Sequence, residues 1–418
     1  MPQTFRGHIE AVAYGGDGII HHHGQTIFIP NTVAGDKALY QVTDKKRGVW
    51  RAEVIKLLAP AQDRIKPPCM VANACGGCSL QYMHLAAQTK LKTSWVLDAF
   101  KPFITKATVF APLKQEHKPG FAGRRRVRWF RKGDKLGFYQ RFSHHVVHSD
   151  TCIALSKTLD TLRKELEEMA LPSTVASIQA VELSNGIHII LESEHDCPDG
   201  FIPSIAKDQQ WWWRKRNSPA IQALHKPVLT LFDNINLHPF KHETLNIQIG
   251  ANDFVQGHQQ GNQALVSQVL EWCQGSKRVV DLFSGCGNLS LPVAAALDAR
   301  VVGAELNPAS VKAANNNAKR LNLHATYQTL DLFKTFAIEP FVGADTLILD
   351  PPRKGAKRIC QHINQLFPKQ IIMVNCNLAA AKRDANALAN AGFTLKALRP
   401  LDLFPYSGHV ETLSLWAS

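Results

Sequence analysis

Residues 278–288 read Arg278-Val279-Val280-Asp281-Leu282-Phe283-Ser284-Gly285-Cys286-Gly287-Asn288, and this stretch decides the fold. Its first half is a short apolar, β-branched run, the pattern of a strand buried on both faces. Its second half is a glycine loop, and a helix is expected after it from about Leu289 to Leu297. Strand, glycine turn and helix in that order open a parallel, doubly wound sheet, and the glycines let backbone approach a ligand at the turn. Further on, Val301-Val302-Gly303-Ala304-Glu305 is a second strand tipped by an acid that can accept hydrogen bonds from both hydroxyls of a ribose. The loop lacks the third glycine that packs against a dinucleotide pyrophosphate. Asp281 adds a negative charge that repels phosphate and attracts a cation. Both points favour the sulfonium cofactor S-adenosylmethionine over NAD, with Asp331 of Thr329-Leu330-Asp331 placed to meet an adenine.

Towards the carboxyl terminus the alternation of apolar strand and helix continues, which implies a parallel sheet flanked by helices. Thr346–Leu349 is a strand ending in Asp350-Pro351-Pro352-Arg353-Lys354-Gly355, where the prolines fix a rigid loop over the methyl donor. Ile371-Ile372-Met373-Val374 then delivers Asn375-Cys376-Asn377 to the same sheet edge, ahead of an Ala-rich helical segment. A thiol at the carboxyl end of a buried strand stands where open α/β sheets build their ligand sites. Leu398–Phe404 and His409–Trp416 read as a terminal hairpin around Pro405-Tyr406-Ser407-Gly408, carrying Glu411. Upstream, Gln263–Cys273 is an amphipathic helix.

The 418 residues exceed one typical core, so more than one domain is expected. Residues 1–58 carry short β-compatible runs and turn residues: Gly15-Gly16-Asp17-Gly18, Gln25–Ile29, Asn31–Asp36, Ala38–Thr43, a basic turn at Lys45-Lys46-Arg47-Gly48, and Trp50–Leu57. Such a series suggests a small OB-like barrel, a common nucleic-acid reader. His21-His22-His23 reads as a solvated polar edge. Residues 59–245 open on a proline hinge at Pro60, Pro67 and Pro68, then Cys69-x5-Cys75-Gly-Gly-Cys78, with a further thiol at Cys152. Thiols converging around a Gly-Gly turn make a metal site, and their ligation suits either zinc or an iron–sulfur cluster. Between them Gly123–Lys132 and Lys135–Arg141 form a hairpin of arginines and aromatics, read as phosphate and base contacts. A charged helix (Leu159–Met169) comes next, then strands near Ala180–Glu192; Trp211-Trp212-Trp213-Arg214-Lys215-Arg216 is either a stacking patch or a core edge.

A net charge of +14 favours a polyanionic partner, nucleic acid first. No apolar run approaches the ~20 residues that cross a bilayer, and the start MPQTFRGHIEAVAY has no signal-peptide pattern. A cytoplasmic chain without membrane attachment is expected, in which nine cysteines argue for thiol or metal chemistry over disulfides.

These motifs together resemble one family: the uracil-5 methyltransferases of RNA, and within it the 23S ribosomal RNA enzymes that carry an iron–sulfur cluster. Residues 1–58 look like its TRAM domain. Asp281–Asn288, Asp350–Gly355, Asn375–Asn377 and Phe404–Glu411 match its catalytic motifs in order. The resemblance implies an α/β Rossmann-like S-adenosylmethionine-dependent methyltransferase domain over 246–418. It adds an N-terminal OB-like β-barrel over 1–58 and a central α+β domain over 59–245. Cys69, Cys75, Cys78 and Cys152 would hold a [4Fe–4S] cluster. Gln256, Phe283, Asn288, Glu305, Asp331 and Asp350 would line the cofactor site, and Cys376 would be the nucleophile with Glu411 the base. The expected partner is RNA, 23S ribosomal RNA above transfer RNA, and the expected state is a monomer. The chain departs from the family in two places. Asn377-Leu378-Ala379-Ala380 replaces Asn-Pro-x-Thr, and Phe254-Val255-Gln256-Gly257-His258 replaces Phe-x-Gln-Val-Asn.

Overall fold

The computed structural model describes residues 4–46, 48–113, 122–203, 206–226 and 229–418. Arg47, in the expected basic turn, lies outside the described residues.

The apolar run before the glycine loop is the strand Arg278–Leu282, and it sits inside an eight-stranded sheet. In spatial order the strands are Ala325–Thr329, Arg300–Glu305, Arg278–Leu282, Thr346–Leu349, Gln370–Asn375, Glu411–Ala417, Thr394–Leu401 and Val109–Phe110. The first five run parallel, and Glu411–Ala417 inserts antiparallel beside Gln370–Asn375. The strand period of two is visible in the packing. Val280, Leu347 and Ile371 join the core on one face, while Val279, Ile348 and Ile372 join the core on the other. Burial on both faces explains why these strands read as unbroken apolar runs. The chain goes outward from Arg278–Leu282 in both directions, so a crevice opens at its carboxyl end.

One helix on this sheet comes from far upstream. Leu85–Phe100 packs Trp95, Val96 and Phe100 into the same core as Val280 and Met373. The two-residue strand Val109–Phe110 then adds to the sheet edge beside Thr394–Leu401. Residues 85–110 fall within the stretch expected to be a central unit and yet build the catalytic sheet.

The N-terminal strands form a six-stranded sheet in the order Thr4–His8, Lys37–Lys46, Val49–Ala59, Gln25–Ile29, Gly18–His22 and Ala11–Val12, around Ile9, Ile20, Ile27, Ile29 and Tyr40. A seven-stranded sheet, running from Val146–His148 to Gln222–Ala223, occupies the middle of the chain and is covered by the helix Lys157–Glu168. The alternative left open for the tryptophan run is decided here, and one expectation changes. Trp211 and Trp213 are fully buried in that sheet's core, so the tryptophan run is a core strand and not a stacking patch. In the basic hairpin, Val127 and Trp129 point inward, Arg125 is buried against Asp233 at 2.7 Å, and Arg128 pairs with Glu192. Acids distant in sequence balance these arginines, and half of the run faces the core.

Among the described residues no helix is long and apolar enough to cross a membrane.

Candidate active site

The crevice at the carboxyl ends of Arg278–Leu282 and Thr346–Leu349 is a cleft of about 500 Å³, within the range of small-ligand sites. Its lining includes Gln256, Phe283, Asn288, Glu305, Asp350, Cys376 and Glu411, so the fold gathers seven of the predicted residues from sites spread over more than 150 positions. Asp331 is not in that lining. Its carboxylate accepts the N–H of Phe333 at 3.0 Å and its carbonyl accepts that of Lys334, so it shapes a turn whose Phe333 reaches the cleft instead.

The glycine loop begins with Phe283 in the left-handed region at φ 70°, a conformation a bulky residue adopts only under constraint. Gly287 lies further along at φ 88°, and a Cβ there would lie 2.7 Å from Leu291. Glu305 braces the loop: its carboxylate accepts the N–H of Gly285 at 3.1 Å and of Asn307 at 2.9 Å. Asn288 exchanges amide hydrogen bonds with Asn262 at 2.9 and 3.0 Å. Gln256 is positioned from outside the sheet, because the Arg125 guanidinium donates to its carbonyl at 2.9 Å. Asp281, expected on the loop, is the buried end of its strand and accepts from Ser290 at 2.5 Å. Its other oxygen and the Ser284 hydroxyl are buried beside the cleft, without hydrogen-bond partners among the described residues. A buried carboxylate oxygen and a hydroxyl left free suit a ligand bearing cationic and N–H groups, which S-adenosylmethionine supplies.

The thiol and the carboxylate meet through strand register. Asn375 pairs with Thr412 and Val374 with Leu413 at the end of the antiparallel ladder, and Cys376 and Glu411 are the next residues beyond that last pair. Paired residues in such a ladder have Cβ atoms about 4.5–5.5 Å apart and project to the same side. Two residues past the strand, Asn377 caps the next helix, its side chain accepting the N–H groups of Ala379 and Ala380 at 3.0 and 3.1 Å. The cap turns the chain immediately after the thiol, and this geometry needs no proline at position 378.

The charges here act on one another. Burial, then Glu411 and Asp350, push the Cys376 thiol up to about 11, with Arg353 opposing. Burial, then Asp350, push Glu411 up to about 8, again opposed by Arg353. Burial and then Asp281 push Asp350 up to about 7. Burial, together with Arg353, Lys92 and Arg124, takes His409 down to about 4 and keeps the ring neutral near pH 7. Sequence reasoning assigns Arg353 no role within its motif; a cation acting on the thiol and on a carboxyl is what the motif alone does not reveal.

A second cavity is lined by Cys69, Cys75, Cys78 and Cys152, which the fold brings together across the hairpin. Its lining holds no carboxylate and no imidazole, and Arg124 and Arg163 border it. The donor set is thus all thiol with cations alongside, which fits a centre whose thiolates leave it net negative. As placed, the thiols share a cavity without converging: among the described residues no group of three or more His, Cys, Asp or Glu is close enough to hold a metal ion.

Known proteins match this chain along almost its whole length. The 23S rRNA (uracil(1939)-C(5))-methyltransferase RlmD of Shewanella sp. (strain ANA-3) is 31% identical over 424 residues, spanning 96% of this chain and 93% of that protein. The enzyme of the same name from Shewanella sp. (strain MR-7) is 32% identical with the same coverage. The chain belongs to the family of 23S rRNA (uracil-C5)-methyltransferases. Over residues 241–372 this family member also matches the profile of the TRM5/TYW2 methyltransferase domain. The solved Pyrococcus abyssi tRNA (uracil-54, C5)-methyltransferase, in complex with S-adenosyl-L-homocysteine, shares its fold. The TM-score is 0.74 over 99% of this chain and 100% of that one, at 21% identity.

Proposed function

We propose that this protein methylates carbon 5 of a uracil in RNA, with 23S ribosomal RNA as the substrate and S-adenosylmethionine as the methyl donor. The observation that carries the reading is the register that brings Cys376 and Glu411 together at the cleft floor. Carbon 5 of uracil is a weak nucleophile. Once the thiol proton has passed to a neighbouring carboxylate, addition of the Cys376 sulfur to carbon 6 moves an electron pair through carbon 5 and oxygen 4; carbon 5 then takes the methyl group, and the thioether S-adenosylhomocysteine is left with the bonding pair. Bound S-adenosylmethionine supplies that methyl on a sulfonium. Glu411 next removes the carbon-5 proton, the carbon 5–carbon 6 double bond re-forms, and the Cys376 thiolate leaves. A carboxyl held near 8 is matched to that proton transfer at physiological pH. Asp350 and Gln256 face the base, which must be extruded from any paired context to reach the cleft. Phe283, Asn288 and Glu305 hold the donor from the other end, and Asp331 acts through the turn that presents Phe333.

The rest of the chain serves RNA binding in this reading. Residues 1–58 act as a TRAM-like module, 59–245 as a central unit, and 246–418 as the catalytic domain of a monomeric cytoplasmic enzyme. Cys69, Cys75, Cys78 and Cys152 would hold a [4Fe–4S] cluster that cross-links the segment around Cys69–Cys78 to the hairpin. The exposed Phe142, with Arg51 3.9 Å and Arg141 5.2 Å from its ring, supports an RNA-facing surface where the first two sheets meet. Transfer RNA is the second substrate reading, favoured by the shared fold with the archaeal enzyme.

The test mixes protein, labelled S-adenosylmethionine and a 23S ribosomal RNA fragment containing 5-fluorouracil, whose carbon-5 fluorine blocks the elimination. A labelled adduct that survives denaturation is expected from the wild type and absent from Cys376→Ala. An adduct that persists in the variant refutes the assigned nucleophile. For the cluster, anaerobic purification is expected to yield iron and acid-labile sulfide; zinc without sulfide refutes it.

A further inference from the structure

The active-site cleft is touched from the far end of the chain. The Tyr14 hydroxyl donates to the carbonyl oxygen of Cys376 at 2.8 Å, across 362 residues of sequence. That carbonyl stands just outside the next helix, whose first bond runs from the Ala381 N–H to the carbonyl of Asn377 at 2.9 Å. The helix therefore does not fix its direction, and Tyr14 provides a donor that does.

Tyr14 is itself held on several sides. Its ring meets Trp95 edge-on at 5.7 Å, and the Trp95 indole donates to the Val12 carbonyl at 2.9 Å. The next residue, Gly15, bridges to Gly408 in the loop that leads to Glu411. The approach is close enough that a Cβ on Gly408 would lie 2.2 Å from the Gly15 backbone. Ser79 closes the clasp by accepting the Gly408 N–H at 2.8 Å. Residues 14–15 thus touch the strand end that carries the thiol and the loop that carries the carboxylate. Burial, then Glu411 and Cys376, push the phenol up to about 12, so it remains a donor through the working pH range.

We propose that Tyr14 is a positioning residue for the thiol: the N-terminal sheet reaches into the methyl-transfer site and sets the backbone orientation of Cys376 relative to Glu411. Holding the carbonyl holds ψ of Cys376, and ψ together with the strand register determines where the sulfur points. A thiol adding to carbon 6 must approach along one direction, and misplacement slows addition without weakening substrate binding. The inference rests on Cys376 being the nucleophile.

The experiment is Tyr14→Phe, which keeps the ring against Trp95 and removes only the hydroxyl. Steady-state methylation of a 23S ribosomal RNA transcript and single-turnover adduct formation on its 5-fluorouracil form are both measured. The expected result is a fall of about fivefold in kcat and in the adduct rate, the scale of one neutral hydrogen bond. KM for both substrates and the melting temperature are expected to stay at wild-type values, which a purely structural role for the hydroxyl would not produce. Wild-type adduct rates in the variant overturn the proposal, and so does a raised KM for RNA with unchanged kcat, which makes Tyr14 an RNA contact. A wild type that transfers no methyl refutes the function instead, so the two failures are distinguishable.

Discussion

Glu411→Gln should abolish turnover and stabilise the protein, increasingly so as pH rises. Glu411 is 5% exposed and its carboxyl is raised to about 8 by burial and by the neighbouring Asp350. In the unfolded chain the same group titrates near 4.3. The folded protein therefore retains a proton that the unfolded chain releases. The associated stability is complete below the unfolded value and is lost as pH rises through the folded one. Relative to a side chain that stays neutral, the loss is about 2 kcal/mol at pH 5.5 and about 4 kcal/mol at pH 7, as upper bounds. Glutamine has the shape of the protonated form and does not titrate. Denaturant melts of both proteins at pH 5.5, 7 and 8.5 give the difference directly. A gap that widens by about 1–2 kcal/mol from pH 5.5 to 7 is expected. A gap independent of pH, or a glutamine variant less stable than wild type at pH 7, would refute the claim that the site holds its base against the preference of the fold. Adduct trapping completes the assignment: with Glu411→Gln on unsubstituted RNA, methylated uracil should remain attached to Cys376 because its carbon-5 proton is not removed.

Two other substitutions probe the supports of this site. Lys92 is fully buried, with Asp402 at 2.7 Å and the Phe404 carbonyl at 3.1 Å; Lys92→Met leaves Asp402 buried and unpaired, a loss of about 3–5 kcal/mol read by chemical denaturation. At the surface, Phe142→Ala removes an exposed ring flanked by Arg51 and Arg141. The KM for 23S ribosomal RNA should rise about tenfold with kcat unchanged, the scale of one lost base stack, and an unaltered KM would show that the ring does not meet RNA.

The catalytic sheet is legible in the sequence because its strands are buried on both faces. Thr346–Leu349 and Arg278–Leu282 are short, largely apolar runs with no competing helical period. The cleft is legible for the same reason, since the loops leaving parallel strands gather at one sheet edge. Pairings between distant segments are not. Arg125 sits in a run that looks like a phosphate-binding stripe, yet its guanidinium holds Asp233 and the Gln256 carbonyl. Asp233 is more than 100 residues away, so no local pattern marks the partnership. Trp129 in the same run is buried, which the alternation with Arg128 hints at but the density of arginines conceals. The helix Leu85–Phe100 escapes a local reading because its core-facing residues match a surface about 200 residues downstream.

These distant pairings share one geometric feature. Arg125 grips the Gln256 carbonyl, Tyr14 grips the Cys376 carbonyl, and Lys92 grips the Phe404 carbonyl. In each case a side chain from outside residues 246–418 bonds a backbone oxygen of a loop that carries a cleft residue. A backbone carbonyl is a general acceptor, so such contacts constrain loop geometry without dictating loop sequence. They also account for how Leu378-Ala379-Ala380 can replace Pro-x-Thr after Cys376, the proposed nucleophile. The rigidity a proline would lend locally comes here from the Asn377 cap on one side and the Tyr14 hydroxyl on the other. Residues 246–418 supply seven of the eight strands and the cleft lining, but without these clamps the thiol, Gln256 and the loop preceding Glu411 would each lose a fixed orientation. The upstream segments therefore help to shape the cleft.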